Sequence, residues 1–114
     1  MSVNMSTRQV GDVTVVDVSG RITLGDGAST FRDTLRDQAS KGNKKLLLNL
    51  AEVSYIDSSG IGEMVSGFTT VSNQGGQVKL LNLTKRVKDL LQITKLYTVF
   101  EVFDDESTAV RSFK

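Results

Sequence analysis

Apolar residues fall in short β-branched or leucine-rich runs that alternate with longer stretches where they recur every three to four positions, the pattern of strands interleaved with amphipathic helices. Val3 to Val10 and Val13 to Val18 form the first two runs, separated by Gly11-Asp12. Glycine in first place suits a type II′ hairpin turn, so the pair predicts an antiparallel edge. The stretch from Ser19 to Gly27 contains Gly20, Gly25 and Gly27 and leads into a helix whose Ala28, Phe31, Leu35 and Ala39 share one face. Gly42-Asn43 ends that helix, because glycine most readily takes the left-handed stop conformation. Leu46-Leu47-Leu48-Asn49-Leu50 is apolar on both faces, as a central strand covered by helices on either side would be.

A second stripe, Ile61, Met64, Val65, Phe68 and Val71, predicts a helix closed by Asn73-Gln74-Gly75-Gly76. Val78-Lys79-Leu80-Leu81 reads as another inner strand. Thr84 can cap a short helix that turns Val87, Leu90 and Leu91 to one side. Val99 to Phe103 predicts the last strand, and Asp104, Asp105 and Glu106 suit the positive amino end of a terminal helix that buries Ala109, Val110 and Phe113. The order β-β-α-β-α-β-α-β-α implies an α/β fold with a mixed, mostly parallel sheet and right-handed crossovers. With no proline, repeat or low-complexity linker, residues 1–114 read as one domain.

Composition then removes whole classes of chemistry. The 114 residues include no cysteine, which excludes disulfides and thiolate metal sites, and no histidine, the commonest general base and transition-metal ligand. Met1 to Met5 lacks the basic and apolar blocks of a signal peptide, and no apolar run approaches the roughly 20 residues of a membrane span. A cytoplasmic protein is expected. A net charge of +1, with cations scattered among acids, gives no general attraction to nucleic acid or to membrane lipid.

Between the apolar run ending at Ile56 and the helical stripe beginning near Ile61 lies Asp57-Ser58-Ser59-Gly60-Ile61-Gly62. One of the polar residues can simply cap the helix while the glycines make the turn. Two glycines in or near a first helical turn nevertheless cost on the order of 1 kcal/mol each, which points to close approach. A corner at the carboxyl end of a central strand is also the usual ligand side of an α/β sheet. Backbone amides there attract anions, so a nucleotide-binding enzyme stays open as the rival reading, although the lysine and hydroxyl residue of a nucleotide-binding loop are missing. Hydrolysis by Ser58 or Ser59 has neither a nucleophile elbow nor an imidazole to take the proton. The remaining chemistry is done to the serine: phosphorylation adds about −1.5 to −2 charges where the helix dipole tolerates them and where a docked protein would not.

This hexapeptide after Tyr55-Ile56, together with Asn73-Gln74-Gly75-Gly76, Val78-Lys79-Leu80 and Leu90-Leu91, resembles the STAS domain family, specifically the bacterial anti-sigma factor antagonists, over about Val3 to Phe113. The resemblance implies a binding protein without catalytic activity of its own and without a cofactor. Unphosphorylated, it would capture an anti-sigma factor serine kinase and free a sigma factor for transcription. The kinase would phosphorylate the serine after the motif aspartate, Ser58, with Ser59 the alternative, and a phosphatase would reset it. Asp57, Ser58, Ser59, Gly60, Ile61 and Gly62 would form the contact surface, with the loop around Thr23 to Gly27, Thr23 and Asp26 in particular, alongside. The family also contains unphosphorylated modules of signalling and transport complexes, and a monomer or a weak dimer fits the resemblance equally. Many relatives carry an acid where this chain has Thr23 after Gly20-Arg21-Ile22, its own acid, Asp26, arriving later.

Other conspicuous residues read as scaffold. Phe31, Met64, Phe68 and Leu91 lie at helical spacing and predict core. The acidic run at Asp104 lacks the alternating ligands of a calcium loop. Lys85-Arg86-Val87-Lys88 is basic without interleaved aromatics and predicts a solvated face of the third helix.

Overall fold

The computed structural model describes residues 3–113; Met1, Ser2 and Lys114, which the single domain expected over 1–114 includes, lie outside the described residues. Strands β1 (Val3–Val10), β2 (Val13–Ile22), β3 (Lys45–Ile56), β4 (Gln77–Leu81) and β5 (Val102–Phe103) form one sheet in chain order. Helices α1 (Asp26–Ser40), α2 (Ser58–Asn73), α3 (Lys85–Ile93) and α4 (Glu106–Ser112) fill the connections. β1 and β2 are antiparallel and every other pair is parallel. At the hairpin Gly11 has φ 62° and Asp12 has no positive φ, the conformation that a glycine-first turn requires.

The central strand β3 is apolar on both sides because both sides are covered. Leu46, Leu48 and Leu50 join Phe31 and Leu35 of α1, Met64 of α2, and Val87 and Leu91 of α3 in the larger core. Leu47 faces the other way, toward Val13, Val15, Leu81, Ala109 of α4 and Phe113 just beyond it. Three helices therefore cover one face and the short terminal helix the other. Each fully buried leucine or phenylalanine contributes roughly 1.5–3 kcal/mol, so most of the stabilisation lies on the three-helix side. Gly67 lets α2 settle against Leu35 of α1, since a Cβ there would overlap the leucine side chain. Among the described residues, no helix is long and apolar enough to cross a membrane.

Three expectations change. β2 does not stop at Val18 but runs to Ile22: Gly20, at φ 97°, sits within an irregular pairing rather than ending the strand. β3 spends extra residues against β2, since Asp17 pairs with Asn49 but Ser19 with Glu52, and Gly20 pairs with Val53 but Arg21 with Tyr55. These bulges bring Ile22 level with Ile56 at the mouth of the sheet. The last strand keeps only Val102 and Phe103 of the expected five residues. Lys95, at φ 61°, ends α3, a 3-10 turn follows at Leu96–Thr98, and Phe100 is buried edge-on against Phe68, 5.2 Å between centroids, instead of pairing with β4. Finally, helix α2 begins at Ser58 with no intervening loop, so the hexapeptide is the helix start itself.

Candidate functional site

The candidate site is the mouth of the sheet where β2 and β3 end and α2 begins. Asp57 leaves β3 with extended backbone (φ −115°, ψ −174°) and caps α2. One carboxylate oxygen accepts the Gly60 N–H at 3.0 Å, and the other accepts the Leu24 N–H at 3.0 Å. Its own N–H donates to the Ile22 carbonyl at 3.3 Å. The aspartate thus ties the end of β2, the following loop and the helix to one point. Partial burial works against its ionisation, yet the amides of Gly60, Leu24 and Ser59 outweigh that and hold the carboxyl below its ordinary range. Both oxygens are occupied within the chain, which makes Asp57 a clamp.

The residues that follow alternate between floor and surface. Gly60 is buried, and a Cβ on it would overlap the Ile22 carbonyl oxygen and lie 2.7 Å from Ile56 Cγ1. Ile61, 3% exposed, belongs to the larger core. Ser59 is half-buried. Ser58 and Gly62 are exposed, and nothing lies within 4 Å of the place a Gly62 Cβ would take. Of the two glycines, close packing within the chain explains Gly60 alone. Among the described residues the Ser58 hydroxyl has no hydrogen-bond partner, so no group is engaged to take its proton.

The loop Thr23 to Gly25 stands beside this start. The Thr23 carbonyl accepts the Ala28 N–H at 2.8 Å, and Gly25 (φ 98°, ψ −136°) adopts a conformation that side chains resist. Between them Leu24 is thrown outward, 80% exposed. Thr23 is half-buried, and Asp26 is exposed at the first position of α1, an acid at the positive helix end. Gly27 is packed so closely that a Cβ would come 2.5 Å from the Arg21 carbonyl oxygen.

On the other side of Ser58 lies α3, which sequence patterning did not connect with the site. Tyr55, Ile56, Asp57, Ser58, Arg86, Asp89, Leu90 and Ile93 line an open cleft of about 240 Å³. Ile93 is 76% exposed. The basic cluster is solvated as expected, Lys85, Arg86 and Lys88 being exposed and Val87 buried beneath the Thr84 cap; Lys85 pairs with Asp89 at 2.9 Å, and Arg86 lies over the Tyr55 ring, 4.1 Å from its centroid. Arg21 approaches the same ring at 5.0 Å. Leu24 lies within the loop expected alongside the motif, whereas Arg86 and Ile93 line the cleft without having been read from it. The available signal was an isoleucine at a helix end outside the Val87/Leu91 stripe.

Comparison with known proteins agrees with this architecture. The STAS domain family model matches residues 4–109. The anti-sigma-B factor antagonist of Bacillus subtilis (strain 168) is 34% identical over 102 residues, which span 90% of this chain and 92% of that protein. An anti-sigma factor antagonist from Mycobacterium paratuberculosis superposes with a TM-score of 0.88 at 16% identity, covering 98% of this chain and 94% of its own. The Bacillus cell fate determinant SpoIIAA in its phosphorylated form superposes with a TM-score of 0.75 at 18% identity, covering 96% of this chain and 98% of its own. At these identities the two superpositions bear on the fold.

Proposed function

The chain belongs to the STAS domain family, and from that premise we propose that it is an anti-sigma factor antagonist governed by phosphorylation of Ser58. In the unmodified state the surface around the start of α2 docks an anti-sigma factor of the serine kinase class and so releases a sigma factor. The kinase then directs the Ser58 oxygen onto the terminal phosphorus of ATP: the new O–P bond forms, the bond to ADP breaks, and the hydroxyl proton passes to a base of the kinase. A phosphatase returns the hydroxyl. The protein itself acts by binding.

The observation that carries this reading is the exposed, unpartnered Ser58 hydroxyl on the first residue of α2, flanked by the outward Leu24 and Ile93. Exposed apolar groups beside a polar centre suit a protein partner. A dianion set between them would have to be desolvated on docking and would face whatever acid the partner presents, whereas the free protein keeps it in water at the favourable helix end. SpoIIAA, with the same fold, exists in unphosphorylated and phosphorylated forms. Greater exposure of Ser58 than of Ser59 favours Ser58 as acceptor.

The test is a purified cognate kinase with ATP, read by mass spectrometry and by binding. One phosphate on Ser58 is expected, with none when the protein is incubated with ATP alone. Ser58→Ala should keep its affinity for the kinase and lose the modification, and Ser58→Asp should bind at least tenfold more weakly with an unchanged circular dichroism spectrum. Equal affinity of both variants would overturn the switch.

A further inference from the structure

Among the described residues the side chains of Arg21, Arg36, Lys44, Arg86, Lys88 and Lys95 hold no carboxylate or carbonyl, and of these it is Arg86 that lines the cleft beside Ser58. Arg8 is engaged by Asp17 and Glu106, Lys79 by Ser112 and Glu101, and Lys85 by Asp89. Arg86 has no carboxylate or carbonyl partner among the described residues, although Asp89 lines the same cleft; its guanidinium lies on the Tyr55 ring. A guanidinium held over a ring with no carboxylate or carbonyl partner keeps N–H donors free for bidentate recognition of a phosphate. The same cleft is lined by Ser58, and its 240 Å³ leaves room for a phosphoryl group, given that one water takes about 30 Å³ of the liquid.

We propose that Arg86, held ready on Tyr55, is the intramolecular receptor for the phosphate of phosphorylated Ser58, so that modification latches α3 to the start of α2. This rests on the reading of Ser58 as the phosphorylated residue. The latch fills the cleft that Leu90 and Ile93 border, so the modified protein differs in surface shape as well as in charge. Phosphorylation then occupies the groove between the two helices, and docking is blocked sterically where the bare negative charge alone would only weaken it.

The phosphate's second ionisation reads the latch directly. The groups facing it are Arg86, the Asp89–Lys85 pair on α3, Tyr55 with Arg21 behind it, and Asp57 with the first amides of α2. The acids resist the dianion and the cations favour it. With phosphoserine placed at position 58 during translation, no kinase is needed, and a phosphorus NMR titration follows the phosphate alone. The wild-type value should fall below that of Arg86→Gln by about half a pH unit, the size expected for a partly exposed charge pair. Arg86→Lys, which keeps the charge and loses the fork, should fall between, and Tyr55→Leu, which removes the platform, should recover part of the Arg86→Gln shift. Coincident titrations of wild type and Arg86→Gln would overturn the latch, as would a shift that follows Arg21→Gln instead. Failure of any kinase to modify Ser58 would sink the switch and leave this result standing.

Discussion

The region around α4 and the corner at the start of α2 carry similar polar residues and treat them in opposite ways. Next to α4, the Arg8 guanidinium donates to Asp17 at 2.7 Å and to Glu106 at 3.0 Å, and Asn49 donates to the same Asp17 at 2.8 Å. Lys79 is buried with its ammonium 3.0 Å from the Ser112 carbonyl, 2.9 Å from its hydroxyl and 2.9 Å from Glu101. Every one of these charges is answered within the chain. At the α2 corner Asp57 is answered by backbone amides and Asp89 by Lys85, while Ser58 and the donors of Arg86 are left over. Saturated charges hold a fold together, and unspent ones are available to a partner or a modification. The two ends of the sheet differ in how far their polar groups are satisfied, and the proposal for Ser58 rests on the less satisfied one.

The contrast is broken most severely by disturbing the corner's floor. Gly60→Ala should cost about 1–3 kcal/mol, because the methyl meets the Ile22 carbonyl and the Ile56 side chain with no room to turn aside. Urea unfolding should show a lower midpoint at unchanged slope. A cost below about 0.5 kcal/mol would mean that β2 and α2 are not pressed together as described, and the corner would lose the rigidity that presents Ser58.

Much of this was legible in the chain, for reasons that also mark the limit. The stripes of α1 to α4, the Thr84 cap and the Gly11-Asp12 turn are local, and local chemistry decided them. The motif placed Ser58 and Asp57 at the strand-to-helix junction correctly because a glycine-spaced polar hexapeptide between two apolar patterns has few other meanings. What escaped was tertiary. Gly20 reads as a strand end, but bulged pairing with β3 absorbs it. Val99 and Phe100 read as strand, but Phe68 gives Phe100 a better place. Arg86 reads as a solvated helix face and is exposed there, but only the packing of α3 beside the β3 terminus brings it to Tyr55. A cation's partner across 31 residues of chain is not written in its neighbours.

Acid and salt sharpen the comparison at intermediate size. Arg8 holds the Asp17 and Glu106 carboxyls below their ordinary range, whereas at Asp57 the amides of Gly60 and Leu24 overcome the opposing effect of burial. In each case the folded carboxyl is the stronger acid, so the stabilisation is fully present above the unfolded value near pH 4 and is lost as pH falls through the lowered folded value. Asp57→Asn should cost about 1 kcal/mol at neutral pH, as a retained but weaker cap that can no longer accept from Leu24, and should flatten the acid limb of the stability curve. Arg8→Gln should flatten it too, but only at low salt. At 1 M salt the Debye length is about 3 Å and the exposed Arg8 network is screened, while the amide bonds of Asp57 persist. Equal salt sensitivity of the two variants would erase the distinction between a charge network and a backbone clamp.

The smallest effect on stability separates surface from scaffold most cleanly. Gly62 is exposed in the second turn of α2 with open space where a Cβ would stand, so nothing in the fold requires glycine there. Gly62→Ala should raise stability by about 0.5–1 kcal/mol through helix propensity alone. If that space is kept open for a docked partner, the same methyl should weaken binding to the anti-sigma factor severalfold, read by calorimetry on the two proteins. A stabilised variant with worse binding is the signature of a residue retained for its surface, the opposite of Gly60, where stability and binding should fall together. Should Gly62→Ala gain stability and bind as before, the contact surface stops short of Gly62 and lies instead toward Leu24 and the α3 side of Ser58.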